Sequence, residues 1–349
     1  MYNNYEPNSN QPPMGNNYPP YGYQNPYGAA EYFQREKEKT TLKKISKIVG
    51  LAVILFTVLS NVIPIFLSIV PKFTSTYRAS EIFATSIDII FGMVVILTPF
   101  LIGFSVFKKD KKIKVLPLGT PYNYSAFFLL IFAGLMICLL GSYATGIFSG
   151  VVENLFGIKF TQPEDNTKLT SVAMIFLYIV RAAFIPAFIE EFAIRGVVMQ
   201  PLRKYGDMFA IIMSSFVFSI MHGNMVQIPF AFIAGIAIGY AVITTGSMWT
   251  GIIIHFLNNL CSVIMQVMMD NLGENKAAIF TSLMILSIVI VGAVCAFCYY
   301  RKFSRVPLSK GISILSKSEK TQSFALSAPM IIAFVFLVIQ TAQYVEFNG

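Results

Sequence analysis

The chain has 349 residues, 55% hydrophobic and only 12% charged, with a formal net charge of +9 and a mean hydropathy of +0.65. A soluble domain carries about 25% charged residues, so the composition excludes a soluble globular class and indicates a polytopic membrane protein. The basic excess does not indicate a nucleic-acid partner, because the lysines and arginines flank apolar runs, where the positive-inside rule accounts for them.

Residues 1–30 are Asn, Pro, Tyr and Gly with almost no aliphatic side chains, which predicts a disordered tail. Residues 31–46 carry mixed charges at helical spacing and read as a juxtamembrane segment. No cleavable signal peptide is expected, since the first apolar run is too long for one. The rest, 47–347, reads as one transmembrane domain. Crossing the ~30 Å hydrocarbon layer takes about 20 apolar residues. Such runs lie near 47–70, 85–107, 125–147, 170–194, 208–223, 227–245, 248–268, 277–300 and 324–345. The fifth and sixth are short or closely joined. The expected fold class is therefore all-α, a polytopic membrane helix bundle of about 8–9 transmembrane helices with an intramembrane polar cavity.

Charge agrees with this count. Lys43, Lys44 and Lys47 precede the first run, and Lys108, Lys109, Lys111, Lys112 and Lys114 follow the second. Arg203 and Lys204 follow the fourth; Arg301, Lys302 and Arg305 follow the eighth. Glu153, Glu164, Asp165, Asp270 and Glu274 collect in the alternate loops. That alternation predicts a cytoplasmic N-terminus and an external C-terminus.

Several residues concern packing. Gly235-x-x-x-Gly239 lets a neighbouring helix approach closely. Pro186 removes a backbone donor and should kink the fourth run just before Glu190. Arg181 in the same run needs a partner, for which Asp88 is the candidate. Cys138, Cys261, Cys295 and Cys298 all lie in apolar runs and are expected to be buried thiols; Cys295-x-x-Cys298 lacks the setting of a redox motif.

The chemistry concentrates in Glu190-Glu191-Phe192-Ala193-Ile194-Arg195. A charge at the bilayer centre costs roughly 2.5–3.5 kcal/mol on insertion scales, and such groups normally face a wet cavity. The helix repeat separates the two acids by about 100°. Glu191 and Arg195 stand four apart, acid first, the favourable order for an ion pair, which leaves Glu190 as the reactive acid. The two histidines are His222, in "FSIMH", and His255, in "HFLNN". Asn259 follows His255 by four residues and shares its face. Counting helical rise from Arg203 and Lys204 puts Glu190 about 20 Å deep. All four can meet in one cavity, expected to open to the cytoplasm.

These three motifs, Glu-Glu-x-x-x-Arg, Phe-x-x-x-His and His-x-x-x-Asn, resemble those of the CPBP family of intramembrane proteases, the CAAX prenyl protease type II and bacteriocin-processing group. The resemblance covers about 170–265. It implies a membrane-embedded hydrolase, an endopeptidase acting on a membrane-associated protein or peptide in a bacterial plasma membrane. It further implies Glu190 as the water-activating base with His222 assisting, His255 and Asn259 as the oxyanion-stabilising pair, and Glu191 and Arg195 as supporting residues. A prenylated CAAX protein, a peptide precursor and a membrane-bound regulator all fit as substrates.

The residues themselves are compatible with that chemistry. A water nucleophile needs a base, an acid for the leaving amine and donors for the oxyanion. No serine or cysteine stands at a catalytic position in the motifs, which argues against a covalent nucleophile. No cofactor is expected. Zinc is the competing mechanism, with Glu190, His222 and His255 as three ligands and an open fourth position. Against it, the histidines lie on separate helices and Asn is a poor zinc ligand. Two readings from other classes are a non-catalytic membrane scaffold or immunity protein of the same fold and an ion- or proton-coupled transporter, whose mark would be inverted repeats with broken helices.

Overall fold

Helix ends follow the punctuation between the apolar runs. The computed structural model describes residues 26–109, 115–163, 165–303 and 308–347. Helix α1 (Pro26–Ser68) carries the charged segment and the first apolar run without a break. A short α2 (Pro71–Ala79) leads into α3 (Glu81–Phe107), whose start is capped by the Ser80 hydroxyl accepting from Phe83 N–H. Asn123 caps α4 (Tyr124–Phe156) in the same way, and Gly157 ends it in the left-handed conformation, where a Cβ would be penalised. Strand β1 (Ile158–Phe160) follows.

The fourth apolar run forms α5 (Val172–Tyr205), a continuous 34-residue helix. It contains π-helical turns at Val180–Phe184 and Phe192–Met199, on either side of Pro186. Then come α6 (Asp207–Ile220), α7 (Ile228–Thr245), α8 (Met248–Leu272) and α9 (Glu274–Phe303). The chain closes with α10 (Lys317–Ala325), α11 (Ala328–Ala342) and β2 (Val345–Phe347). Among the described residues, seven helices are long and apolar enough to span, and α10 with α11 makes an eighth if that pair, bent by 70°, counts as one. Helix α6 has only 14 residues, about 21 Å by helical rise, and falls short of a full crossing. The molecule is a polytopic helical bundle and an integral membrane protein.

The two ends of the bundle differ in charge. At the basic end, Arg35 and Lys39 of α1 hold Glu319 at 2.8 and 3.2 Å, and Lys320 donates to the Tyr205 carbonyl. At the acidic end, β1 pairs antiparallel with β2, Lys159 opposite Glu346. The 165–169 loop is strapped there to α8 through Gln266, Asp270 and Asn271. The charged start of α1 and the terminal strand β2 thus lie at opposite ends.

Residues 1–25, most of the expected tail, lie outside the described residues, as do Lys111, Lys112, Lys114, Glu164 and Arg305; α1 already begins at Pro26, inside the stretch read as tail. The cysteines are free, but Cys298 is exposed and Cys295 half-buried. The reason is that α9 turns most of its surface outward and buries only Ala277 and Gly292, so an apolar run there means a lipid-facing helix. The glycine pair does sit at a close approach of α6 and α7. A Cβ at Gly235 would lie 2.8 Å from Ser215 Cβ, whereas one at Gly239 would lie 3.4 Å from Ile211.

Gly235→Val should therefore lower the unfolding temperature in detergent, by an overpacking penalty of ~1–3 kcal/mol, while Gly239→Ala should leave it unchanged. Equal unfolding of Gly235→Val and the parent protein would contradict this helix contact.

Candidate active site

Pro186 has no N–H to offer Ala182, four residues earlier, and the surrounding π-helical turns widen α5 just where its acids begin. Glu191 faces the interior and is fully buried; the Glu190 side chain, one residue back, keeps 22% exposure on a cavity wall. Arg195 lies one turn below, also fully buried. Its Nη1 is 3.2 Å from Glu191 Oε1, Nη2 donates to the Gly235 carbonyl at 3.3 Å, and the guanidinium lies over the Phe218 ring at 4.9 Å.

The same Glu191 oxygen also accepts from His255 Nδ1 at 3.0 Å. A carboxylate paired with arginine accepts, so Nδ1 carries the proton and Nε2 is left facing Glu190 Oε2, 3.7 Å away. The contact of α8 with Glu191 depends on Gly251, one turn before His255, where a Cβ would stand 2.9 Å from Glu191 Oε2. Among the described residues, neither Glu191 Oε2 nor Arg195 Nε finds a hydrogen-bond partner.

His222 lies just past the end of α6. Its Nδ1 is 2.9 Å from the Phe218 carbonyl. A carbonyl only accepts, so Nδ1–H is the donor and Nε2 is free to accept. Phe218 stands edge-on to both imidazoles, 4.9 Å from His222 and 6.0 Å from His255. The aromatic of the Phe-x-x-x-His motif thus packs against three of the charged or titratable side chains. Asn259 donates from Nδ2 to the Ala182 carbonyl at 3.1 Å, and its Oδ1 accepts from Asn258 Nδ2 at 3.1 Å.

Glu190, His222, His255 and Asn259 all line one cavity of about 500 Å³, together with Asn258, Ser262, Gln266 and Gln227. Glu191 and Arg195 stand behind its wall. His222, Tyr178, Gln227 and Ser262 also line an adjoining vestibule of about 1020 Å³, walled further by Asp88, Asp165 and Arg181. The vestibule lies at the acidic end of the bundle, not at the end bearing Arg203 and Lys204. The expected opening was toward the cytoplasm; the vestibule fixes only which end of the bundle is open. Depth counted from one surface says nothing about which way a cavity is wet, and the polar face of α8 continues through Ser262 and Gln266 toward Asp270.

Arg181 binds Asp88 at 3.1 Å and pairs also with Asp165. Tyr77 and Tyr178 donate to those acids at 2.7 and 2.9 Å. Burial works against the Asp165 carboxylate, but hydrogen bonds from Thr167 and Tyr178 and the Arg181 charge outweigh it and hold its pKa below the usual range. This network forms the vestibule wall. Among the described residues, no three His, Cys, Asp or Glu side chains converge into a group that could hold a metal ion. Sequence reasoning missed Asn258, Gly251 and the second bond of Glu191. Asn258 was visible as the first of two adjacent asparagines; Gly251, four before His255, carried no chemistry to draw attention.

Glu191→Gln should leave Arg195 buried without a counter-charge, at a cost of ~3–5 kcal/mol, read as a lower unfolding temperature. Glu191→Gln combined with Arg195→Gln should be milder than Glu191→Gln alone. If the double variant is the less stable, the pair is not what holds this region.

Residues 172–261 match the family model described as type II CAAX prenyl endopeptidase Rce1-like. No curated protein and no solved structure matches the chain. The matched residues run from the start of α5 to the middle of α8 and contain Glu190, Glu191, Arg195, His222, His255 and Asn259, so this part of the chain is similar to the Rce1-like domain of the type II CAAX prenyl endopeptidases, a protease family.

Proposed function

We propose that this protein is an intramembrane endopeptidase that hydrolyses a peptide bond of a membrane-associated protein or peptide, using a water activated by Glu190. The observation that carries the reading is the convergence of Glu190, His222, His255 and Asn259 on one cavity inside the bundle. Glu190 is the acid not committed to Arg195, and it reaches the cavity. Its carboxylate takes a proton from the water, whose oxygen attacks the scissile carbonyl carbon. His222, with Nδ1–H held by Phe218, presents Nε2 as an acceptor that helps orient the water.

The carbonyl electrons move onto oxygen, where Asn259 N–H and His255 Nε2–H stabilise them. Each such donor is worth ~3–4 kcal/mol in comparable sites. Because Nδ1–H is committed to Glu191, donation from Nε2 requires a second proton on the ring, whose charge the oxyanion itself offsets. Collapse breaks the C–N bond as the proton on Glu190 passes to the leaving amine. The 3.7 Å gap between Glu190 and His255 is longer than a hydrogen bond, and catalytic contacts of this kind commonly tighten only with substrate present.

The asparagine beside the histidines, a poor zinc ligand, favours chemistry without a metal. The alternating loop charges support a cytoplasmic basic end, which turns the vestibule to the outside of the cell.

Glu190→Gln should abolish cleavage while unfolding temperature and yield stay unchanged, because only the proton acceptor is lost. Comparing membrane proteomes of cells carrying the parent protein and this variant should reveal an accumulated uncleaved precursor, and chelators should leave the cleavage rate unchanged. Full activity of Glu190→Gln removes the proposed base, and activity lost to a chelator and restored by zinc replaces the mechanism. For orientation, a single cysteine at Lys168, beside the vestibule, should react with impermeant thiol reagents in intact cells, and one at Lys310 should resist them. The opposite pattern reverses the side on which substrate enters.

A further inference from the structure

Asn259 can serve an oxyanion only if its amide is turned correctly, since the carbonyl and amino ends of a carboxamide are nearly isosteric and opposite in polarity. Two contacts select the turn. The Ala182 carbonyl accepts from Asn259 Nδ2 at 3.1 Å, and Pro186, four residues on, has no N–H to give it. Asn258 Nδ2 donates to Asn259 Oδ1 at 3.1 Å. With the amide flipped, Oδ1 would meet the Ala182 oxygen and Nδ2 would meet Asn258 Nδ2, so both contacts would become repulsive. Asn259 Nδ2 has two hydrogens and uses one on Ala182, which leaves the other for the cavity that Asn259 lines.

From this geometry we infer that Asn258 is a positioning residue, whose side-chain amide fixes the orientation of Asn259 and thereby aims an N–H at the reacting carbonyl oxygen. The inference rests on the reading of Asn259 as an oxyanion donor. Asn258 is 9% exposed and borders the same cavity, but its role runs through its neighbour. The Ala182 carbonyl of α5 and the first asparagine of the pair on α8 thus clamp one amide from both ends.

A double-mutant cycle on the full-length protein in detergent micelles tests it, using a quenched fluorescent peptide ending in farnesylated Cys-Val-Ile-Met. Asn259→Ala should lower kcat by ~100- to 1000-fold. Asn258→Ala should lower it by about ten-fold, as expected for a misaimed group rather than a missing one, with KM and unfolding temperature unchanged. In the Asn259→Ala background, Asn258→Ala should have no further effect. A ten-fold loss that persists there, or parent-like kcat for Asn258→Ala alone, overturns the inference. Parent-like kcat for Asn259→Ala would instead overturn the oxyanion reading itself. A second measurement needs no turnover and decides the case if the peptide is not cleaved. In protein labelled with 15N-asparagine, the Asn259 side-chain amide signals, identified by their loss in Asn259→Ala, should exchange faster with solvent in Asn258→Ala. Unchanged exchange means that Asn258 does not hold the amide.

Discussion

Everything at the centre of this molecule depends on a fully buried carboxylate, Glu191, and the two cations or donors it holds. Burying an ion pair takes both charges out of water, and the Coulombic return offsets that loss only when geometry and hydrogen bonding are good. Here the geometry is shared across three helices. Glu191 and Arg195 come from α5, His255 from α8, and the carbonyl that takes Arg195 Nη2 from Gly235 of α7. The pair therefore fixes the relative rotation of the helices that carry the cavity residues. Two glycines make it possible, Gly251 by leaving room for the carboxylate and Gly235 by letting α6 close on α7. Stability and function are coupled through one side chain.

The adjacent acids show how one residue step divides those tasks. On a helix, neighbours point about 100° apart. Glu191 turns into the packed interior and Glu190 toward the wet cavity. Neither could exchange roles without rotating α5. The π-helical turns and Pro186 add to this by loosening the backbone around the acids, and the Ala182 carbonyl in that stretch accepts from Asn259.

The legible part of the sequence was whatever depends on spacing along one helix. Alternating loop charges and long apolar runs gave the bundle, and the i, i+4 relations gave the Glu191–Arg195 contact and the shared face of His255 and Asn259. Contacts between helices were harder. The Arg181–Asp88 contact could be named because a membrane arginine demands an acid and few acids were available. The Glu191–His255 bond could not, since nothing in the local pattern says which of two adjacent acids a histidine 64 residues away will face. The direction of the cavity follows from side chains beyond the motifs, Ser262 and Gln266 on one side and the 165–169 loop on the other. The exposed face of α9 was hidden for a related reason: in a bilayer, apolarity does not separate core from surface.

Helix α6 carries an outward stripe of Met208, Ile212 and Phe216 yet stops after only 14 residues, with His222 just beyond. A lipid-facing helix of about 21 Å beside a hydrocarbon layer of ~30 Å creates a hydrophobic mismatch. A bilayer meets such a deficit by thinning locally. The expected consequence is a dimple in the leaflet next to the vestibule, which would bring headgroups and water down toward His222 and shorten the distance over which a polar peptide backbone must be drawn into the membrane.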